Sequence, residues 1–294
     1  MSSQAPIIRI SIIVPVFNHW SLVPGLIAAL EAQSVPAGQF ELLLVDNGSD
    51  SLPEISGWPS FTRLLHCEQP GSYAARNVGI GEAQGELLVF TDADCRPEPD
   101  WLEKLLACQA AEDDRDEVIV AGAIRVVTEG EATAAALYDM AMGLPVADYV
   151  KRGYGVTANL AVPRGLMARM GGFDQRRFSG GDAAFCRLAV SCGARLVYGE
   201  QACVRHPARQ SMSELTTKMR RLKGGQLRNG PWHRRLLYGI RGFLPPLRAW
   251  RRVLGLSGFS ARERFVVAGV QGRLWLTEMV ETLRLMLGGA PERR

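Results

Sequence analysis

The sequence predicts an α/β fold in which helices flank a mostly parallel sheet, followed by an amphipathic helical appendage. Three observations predict it. Short apolar strands alternate with helical patterns in the first half of the chain, which is typical of a parallel sheet. Several of these strands end in polar clusters, "VFNHW", "VDNGSD" and "TDADC". From Ser211 onward, Arg residues are mixed with Leu, Phe and Trp at helical spacing, which is typical of amphipathic helices.

Local patterns predict each element of the first half. Runs of β-branched and apolar residues indicate strands. The predicted strands are Ile7–Val16, Glu41–Val45, Arg63–Cys67, Glu86–Phe90 and Val118–Val127. Apolar positions at helical spacing indicate helices. The predicted helices are Ser21–Gln33, Ser72–Gly85 and Pro99–Ala111. The last of these has Pro99 near its start and acidic residues in its first turn, which suits a helix N-terminus.

The second half of the chain has weaker patterns. "GYGVTANLAVPR" indicates a strand and a turn, and "ARLVYGEQACVRHP" indicates a late pair of strands. Between them, a loop precedes a predicted helix from Asp182 to Cys192, which Gly193 ends. Near the C-terminus, "RERFVVAGVQGRLWLTEMVETLRLML" predicts a longer helix.

Composition limits the class of protein. The chain is 47% apolar and 22% charged, as globular proteins are. No apolar run reaches the roughly 18 residues of a membrane span. The N-terminal segment lacks the basic n-region of a signal peptide, so we expect a cytoplasmic protein. The six cysteines form no CxxC pair, which argues against a zinc site or a disulfide framework.

The charge is divided unevenly along the chain. Residues 1–204 carry 15 Lys and Arg against 25 Asp and Glu, a net charge of −10, whereas residues 205–294 carry 19 against 5, a net charge of +14. Such asymmetry predicts an anionic partner for the basic end. The Leu, Phe and Trp content favours an anionic membrane surface, and the sequence contains no nucleic-acid-binding motif. The alternative is that these helices pack on the rest of the chain or form a dimer.

Paired carboxylates follow the predicted strand Glu86–Phe90. Asp92 and Asp94 are two residues apart and can reach the same side of a loop. Oxygen ligands suit hard divalent cations such as Mg²⁺ and Mn²⁺. A cation held there could neutralise a diphosphate. The alternative is an ordinary solvated loop.

Two further polar positions fit a nucleotide. Asp46 ends a buried strand, where its carboxylate can accept a hydrogen bond from a ribose hydroxyl or a base N–H; an Asx turn or a helix cap is the alternative. Arg76 lies in the first turns of a predicted helix, and both Arg and helix N-termini suit phosphate recognition. A surface Arg on an amphipathic helix is the alternative.

Asp182 follows two glycines and begins a predicted helix. A carboxylate in that place can act as a general base toward a hydroxyl group. It can also be a plain N-cap, since Asp is favoured there. The two roles do not exclude each other.

Seven segments together resemble glycosyltransferase family 2: "SIIVPVFN", "LLLVDNGSD", "GSYAARNVGI", "GELLVFTDADCRPEPDWL", "GVTANLAVPR", "GGFDQRRFSGGDAAFCRLAVSCG" and "VRHP". The resemblance extends from Ile7 to Lys223, about three quarters of the chain. It implies the GT-A fold, a Rossmann-like architecture, and an inverting, metal-assisted transfer of sugar from a nucleotide-sugar. With it we predict a catalytic domain over residues 1–228 and a basic helical region over residues 229–294.

The resemblance also implies roles for particular residues. Asp182 would be the catalytic base. A divalent cation, Mn²⁺ or Mg²⁺, would be held by Asp94 and Asp92, with the late His206 completing the site. The residues implied in nucleotide-sugar binding are Pro15, Phe17, Asn18, Asp46, Arg76 and Asp92.

The same resemblance implies the partners. The default donor is a UDP-sugar, the acceptor is a lipid-linked or cell-surface glycan, and the protein is peripheral on the inner face of the cell membrane. No Gln-x-x-Arg-Trp motif of the processive polymerases is present, so we expect transfer of a single sugar.

Two other activities are alternatives to sugar transfer. A nucleotidyltransferase would need a Gly-rich basic loop after the first strand, which "VFNHWSLVPG" does not supply. An inactive nucleotide-sugar-binding subunit of a membrane-associated assembly stays open, because Gly181 stands where the family usually has Glu before the base.

Overall fold

A computed structural model describes residues 8–111, 117–177, 179–229 and 231–292. Its strands are β1 (Ile10–Val16), β2 (Phe40–Asp46), β3 (Thr62–His66), β4 (Leu87–Thr91), β5 (Arg96–Pro97), β6 (Val118–Val127), β7 (Asn159–Pro163) and β8 (Arg195–Pro207). They form one eight-stranded sheet in the order β3-β2-β1-β4-β7-β6-β8-β5. Residue 7, where the first predicted strand begins, lies outside the described residues.

The sheet is parallel on one side and antiparallel on the other. Strand β1 pairs in parallel with β2 and β4, and β2 pairs in parallel with β3. Strand β7 is antiparallel to β4 and β6, and β5 is antiparallel to β8. The predicted α/β class is confirmed. The parallel strands of the sheet, β1 to β4, come from the first half of the chain, where strands and helices alternate in the sequence. The carboxyl ends of β1, β2 and β4 therefore meet at one edge of the sheet.

The helices are α1 (Val23–Glu31), α2 (Ser72–Glu82), α3 (Trp101–Ala110), α4 (Ala134–Met142), α5 (Val146–Val150), α6 (Arg164–Met170), α7 (Gly181–Ser191), α8 (Met212–Arg228), α9 (Trp232–Phe243), α10 (Leu247–Leu254) and α11 (Ala261–Met286). The predicted helices of the first half correspond to α1, α2 and α3. Helix α11 coincides with the long C-terminal helix that the sequence predicts. Helices α4, α5 and α6 were not predicted.

Both faces of the sheet are covered, which explains why its parallel strands are apolar throughout. Ile12 of β1 packs in a buried cluster with Trp101 of α3, whereas the next residue, Ile13, packs in a second cluster with Phe185 of α7. Successive side chains of a strand point to opposite faces. A strand with helices on both faces therefore needs apolar residues at every position.

The predicted strand pair in "ARLVYGEQACVRHP" is wrong, because these residues form the single strand β8. A glycine within such a run, here Gly199, often marks a turn between two strands. In the structure a Cβ added at Gly199 would lie 2.9 Å from Val120 Cγ1. The glycine therefore allows close packing within the sheet, which is the other common reason for glycine in a strand.

The described residues divide into two compact units. The first contains residues 8–125, 145–176 and 181–206, and the second contains residues 126–144, 177–180 and 207–292. The second unit is helical, with α11 packed on α4, α8, α9 and α10. The predicted boundary at residue 228 between a catalytic domain and a basic region stays a prediction. In the part of the chain that is described, no helix has both the length and the apolar content to cross a membrane.

Candidate active site

A buried ion pair joins helix α2 to the end of β4. The Arg76 side chain is 4% exposed, and its Nη2 donates to Asp92 Oδ1 at 2.6 Å. Its Nε is buried, and no described residue accepts a hydrogen bond from it. A buried guanidinium N–H without an acceptor is costly unless a ligand satisfies it. This donor, beside an acidic loop at the strand ends, suits an anionic ligand such as a phosphate.

Asp94 lies beside His206. Strand β5 pairs with β8 so that Arg96 is opposite Arg205, and this register brings His206 to the loop after β4. His206 Nε2 is 3.5 Å from Asp94 Oδ2. The imidazole is buried beside this carboxylate, an arrangement that suits a metal ligand.

The predicted metal ligands form a smaller cluster than the resemblance implies. Among the described residues, no group of three His, Cys, Asp or Glu is close enough to hold a metal ion. The carboxylate of Asp92 is engaged by Arg76, which leaves the Asp94 and His206 pair. One carboxylate oxygen and one imidazole nitrogen fit a Mn²⁺ or Mg²⁺ ion whose other ligands are phosphate oxygens and water.

Asp46, at the end of β2, forms the turn that was its alternative role. Its carboxylate accepts hydrogen bonds from the backbone N–H of Gly48 at 3.1 Å and of Ser49 at 3.3 Å. Gly48 has φ +80°, a conformation that glycine adopts at little cost. The predicted contact of Asp46 with a nucleoside stays a prediction.

Asn18 holds the same loop from the end of β1. Its Nδ2 donates to Asp50 Oδ2 and its Oδ1 accepts from the Asp50 N–H, each at 2.9 Å. Asn18 has φ +55°, which Asn tolerates better than most residues. Pro15 and Phe17, which flank this strand end, are partly buried. The structure therefore gives Asn18 a role in loop shape, and the nucleotide contacts of these three residues stay predictions.

Asp182 lies within the first turn of α7 and is held by three donors. The Ala183 N–H donates to Oδ1 at 2.8 Å, the Tyr73 hydroxyl donates to Oδ1 at 3.2 Å, and the Thr157 N–H donates to Oδ2 at 3.3 Å. Burial raises the pKa of the Asp182 carboxyl above its ordinary value, against the opposing effect of these donors and of Arg76. A raised carboxyl pKa suits a general base.

Helix α2 connects the two carboxylate groups. Tyr73 and Arg76 lie one turn apart on it, with the guanidinium 5.8 Å from the tyrosine ring centroid. Tyr73 contacts Asp182 and Arg76 contacts Asp92. Helix α2 therefore connects Asp92 to Asp182 through two of its own side chains. Tyr73 was not singled out in the sequence, because its partner is 109 residues away.

Two asparagines that the sequence analysis missed fix α2. Asn47 donates to the carbonyl oxygens of Cys67 and Gln69 and accepts from the N–H of Gly71, so it holds the segment that leads into the helix. Asn77 donates to the carbonyl of Phe173 and accepts from its N–H. A signal was present, since both amides stand next to predicted site residues in "VDNGSD" and "AARN".

Charged side chains at the carboxyl ends of parallel strands suit an enzyme that binds a nucleotide, and comparison with known proteins gives the family. The model of the family described as "Glycosyl transferase family 2" matches residues 11–179. The chain belongs to glycosyltransferase family 2 and is a glycosyltransferase. The resemblance noted in the sequence is thereby confirmed.

Curated relatives agree with this assignment. The chain is 32% identical over 234 residues to "Glycosyltransferase AglE" of Haloferax volcanii, covering 77% of this chain and 75% of that protein. It is 27% identical over 216 residues to the "Pre-mycofactocin glycosyltransferase" of Mycobacterium tuberculosis, covering 70% of this chain and 44% of that protein. The chain thus spans less than half the length of the mycobacterial relative.

Solved structures confirm the GT-A fold. A mannosyltransferase from Pyrobaculum calidifontis in complex with GDP-Man and Mn²⁺ has a TM-score of 0.58 at 18% identity, covering 94% of this chain and 87% of that one. S. aureus TarS in complex with UDP-GlcNAc has a TM-score of 0.54 at 16% identity, covering 96% and 93%. At these identities the likeness shows the fold alone.

Proposed function

We propose that this glycosyltransferase moves one sugar from a nucleotide-sugar to an acceptor hydroxyl with inversion at the anomeric carbon. The observation that carries the proposal is the pairing of two carboxylate sites across helix α2. One holds Arg76 and Asp92, and the other holds the partly buried Asp182. The first suits a departing diphosphate, and the second suits an acceptor hydroxyl.

On the donor side, the chain supplies a positive charge and metal ligands. The Arg76 guanidinium has a free buried N–H for a phosphate oxygen, and Asp94 with His206 would hold a divalent cation. Such a cation, when bound, supplies charge neutralisation for the leaving nucleoside diphosphate. Fixed donors aimed at developing negative charge are the largest usual contribution to such a reaction. GDP-Man and UDP-GlcNAc in the neighbouring structures support this class of donor, and a UDP-sugar is our default.

On the acceptor side, Asp182 takes the proton. As the acceptor oxygen attacks the anomeric carbon, its O–H proton passes to the Asp182 carboxylate and the bond from the anomeric carbon to the phosphate oxygen breaks. One displacement from the opposite face inverts the configuration. The carboxylate must be ionised to act, so activity should rise as pH passes its raised pKa.

The test is a thermal-shift panel of UDP, GDP and dTDP, each with and without Mn²⁺. A ligand that binds the native state raises the melting temperature with its concentration and affinity. We expect one nucleotide to give a Mn²⁺-dependent shift that Asp94→Ala removes. Asp100→Ala, which alters a partly exposed aspartate at the start of α3, is the matched control and should keep the shift. No shift with any nucleotide would overturn the proposed donor site.

The inactive-subunit alternative is separated by turnover. The alternative arises because Gly181 stands next to Asp182 at the position where the family usually has a Glu carboxylate. Release of nucleoside diphosphate from the donor that the panel identifies, lost in Asp182→Asn, supports the enzyme. Binding without any release, even to water, would favour the subunit.

We also propose that the second unit docks on an anionic membrane and that the acceptor is a lipid-linked glycan there. Helix α9 leaves a stripe of apolar side chains in solvent: Trp232, Leu236, Leu237, Ile240 and Phe243. Arg234, Arg235 and Arg241 of the same helix are also exposed. Exposed apolar patches with basic borders are typical of helices that lie in a membrane interface.

The vesicle test uses the full chain. Flotation with phosphatidylglycerol vesicles should recover the protein, and phosphatidylcholine vesicles should recover much less, because each Lys or Arg near an anionic surface contributes about 1 kcal/mol. Arg234→Gln with Arg235→Gln should lower recovery on the anionic vesicles, whereas Arg9→Gln, in the first unit, should not. Equal recovery on both lipids would contradict the proposal.

A further inference from the structure

Tyr73 is a buried tyrosine whose hydroxyl points at the proposed base. Tyr73 lies on α2, and its ring packs against that of Phe173, with the ring centroids 5.5 Å apart. Its hydroxyl donates to Asp182 Oδ1 at 3.2 Å. Burial and the charge of Asp182 raise the pKa of this phenol, so it stays a proton donor through the physiological range.

The carboxylate oxygens of Asp182 differ in how they are held. Oδ1 accepts two hydrogen bonds, from the Ala183 N–H and the Tyr73 hydroxyl. Oδ2 accepts one longer bond, 3.3 Å, from the Thr157 N–H. A carboxylate oxygen has two lone pairs. Oδ2 therefore keeps the lone pair that can take a proton, while Oδ1 is occupied.

Gly181 makes room for the tyrosine. A Cβ at this position would lie 2.6 Å from Tyr73 Cε2 and 2.8 Å from its Cδ2 and Cζ. Gly181 is not among the glycines with positive φ, so space, and not backbone conformation, requires glycine here. Any larger residue would displace the ring from Asp182.

We propose that Tyr73 is a positioning residue for Asp182, occupying Oδ1 so that Oδ2 receives the acceptor proton, and that Gly181 is the residue that admits it. This rests on the proposed function for the role of Asp182 as base. In the step, the acceptor O–H proton goes to Oδ2, the acceptor oxygen bonds the anomeric carbon, and the nucleoside diphosphate leaves with the electron pair of the broken C–O bond. The tyrosine keeps its proton throughout.

The groups that face Asp182 set the direction of the expected change. Tyr73 and Arg76 face it from α2, Tyr154 from the segment before β7, and Cys186 from its own helix. Arg76 and the Tyr73 hydroxyl favour the ionised carboxylate, and burial opposes it. Removal of the hydroxyl therefore raises the pKa of Asp182 further, since a donor to the charged form is lost.

The first test is Tyr73→Phe, read by ¹³C NMR titration of labelled aspartate carboxyls, with Asp182→Asn to assign the signal. We expect a higher Asp182 pKa than in the wild type. The second readout is nucleoside diphosphate release from UDP-GlcNAc and GDP-Man in water as a function of pH. The ascending limb should move to higher pH, so that the rate at a fixed pH on this limb should fall about 10-fold, as loss of a hydrogen bond to a charged group predicts.

Gly181→Ala provides an independent arm, because it removes no polar group. It should raise the Asp182 pKa by displacing the ring, and the double variant with Tyr73→Phe should titrate close to Tyr73→Phe alone. Tyr198→Phe, which alters a tyrosine at the surface of β8, is the control and should change neither readout.

The outcomes separate the inference from the proposed function. An unchanged Asp182 pKa in Tyr73→Phe overturns the inference whatever the rates are. If the Asp182 pKa shifts in Tyr73→Phe but the ascending limb of the pH–rate profile does not move, the link between Tyr73 and Asp182 is supported. Asp182 is then not the base, and the proposed function fails.

Discussion

In most proteins, apolar side chains are buried and charged ones are exposed. Each of the two compact units departs from this distribution. In the first unit, the candidate site buries charged and polar groups, with Arg76 3% and His206 6% exposed. The second unit also buries charged groups, but each of these, Asp139, Lys223 and Glu281, is in an ion pair. In the second, large apolar side chains lie in solvent, with Trp232 74% and Leu254 71% exposed. Both arrangements cost free energy in an isolated fold. A buried charged group or an exposed apolar side chain is therefore a good place to look for a functional site.

Within the first unit, hydrogen bonding distinguishes structural from functional burial. Asn159 is fully buried and satisfied, because it donates to the carbonyls of Ala123 and Ala202 and accepts from the Trp101 indole. Arg76 and Asp182, by contrast, keep hydrogen-bonding capacity, at Nε and at Oδ2. A satisfied network specifies the fold, whereas an incompletely satisfied one is prepared for a ligand.

The largest expected effect is on Asp182. Asp182→Asn should lower the rate of sugar transfer 10²–10⁴-fold, as loss of a general base does. It should also stabilise the protein at neutral pH. The folded state raises the pKa of Asp182 above its ordinary 3.8, so the folded protein binds a proton more tightly, and the wild type loses stability as pH rises through that interval. The asparagine does not titrate.

Melting temperatures of wild type and Asp182→Asn across pH measure this directly. The two should converge below pH 3.8 and differ by a constant amount above the raised pKa. Asp148→Asn, on the short helix α5, is the control and should change neither the rate nor the melting temperature appreciably. A wild type that is more stable than Asp182→Asn at pH 8 would contradict the assignment of burial as the dominant cause.

The next effect concerns structural burial. Asn159→Leu should destabilise the first unit by about 3 kcal/mol, because it removes the acceptor of a buried indole N–H and a donor to two carbonyls. Urea denaturation measures the loss. Asn229→Leu, where the amide Nδ2 already lacks a partner among the described residues, should cost far less. If both cost the same, hydrogen-bond satisfaction does not separate the two kinds of burial.

A smaller effect is expected at Arg76. Arg76→Lys keeps the charge but loses the planar array of donors, including the unpaired Nε. Nucleotide affinity should fall about tenfold, because Lys cannot replace Arg at such sites. Isothermal titration with the nucleotide that the thermal-shift panel selects measures it, with Arg9→Lys as the control. Undiminished affinity would assign Arg76 to holding Asp92 alone.

Part of this comparison was visible in the sequence. The strands β1, β2 and β4 were predicted because buried parallel strands are continuous apolar runs. The resemblance implied roles for Arg76, Asp92 and Asp182, but their shared contacts with helix α2 were found only in the structure. The exposed stripe of α9 followed from its mixture of Arg with large apolar residues.

The remainder depended on contacts between distant segments. The hydroxyl of Tyr73 and the carboxylate of Asp182 are 109 residues apart, and no local periodicity reports such a pair. The role of Gly181 can be inferred only when the position of the Tyr73 ring is known. The role of Gly199 in β8 likewise depends on its close approach to Val120. Short elements such as β5 and α5 have too few residues to produce a pattern.

The smallest effect tests the exposed apolar side chains of the second unit. Leu237 is 60% exposed on α9, so Leu237→Ser should change the free energy of unfolding by about 0.5 kcal/mol or less. If the stripe enters a membrane, the same change should weaken binding to phosphatidylglycerol vesicles by about 1.5 kcal/mol, roughly tenfold. Leu215→Ser, in the buried core of the same unit, should show the reverse order, with a large loss of stability.

Vesicle sedimentation and urea denaturation of the same two variants give both numbers. An apolar side chain that contributes to binding but not to folding has its partner outside the chain. If Leu237→Ser instead lowers stability and leaves vesicle binding unchanged, the stripe belongs to the fold or to a second copy of the chain. In that case, the exposed apolar residues of the second unit would not bind a membrane, whereas the buried charges of the first unit would still bind a ligand.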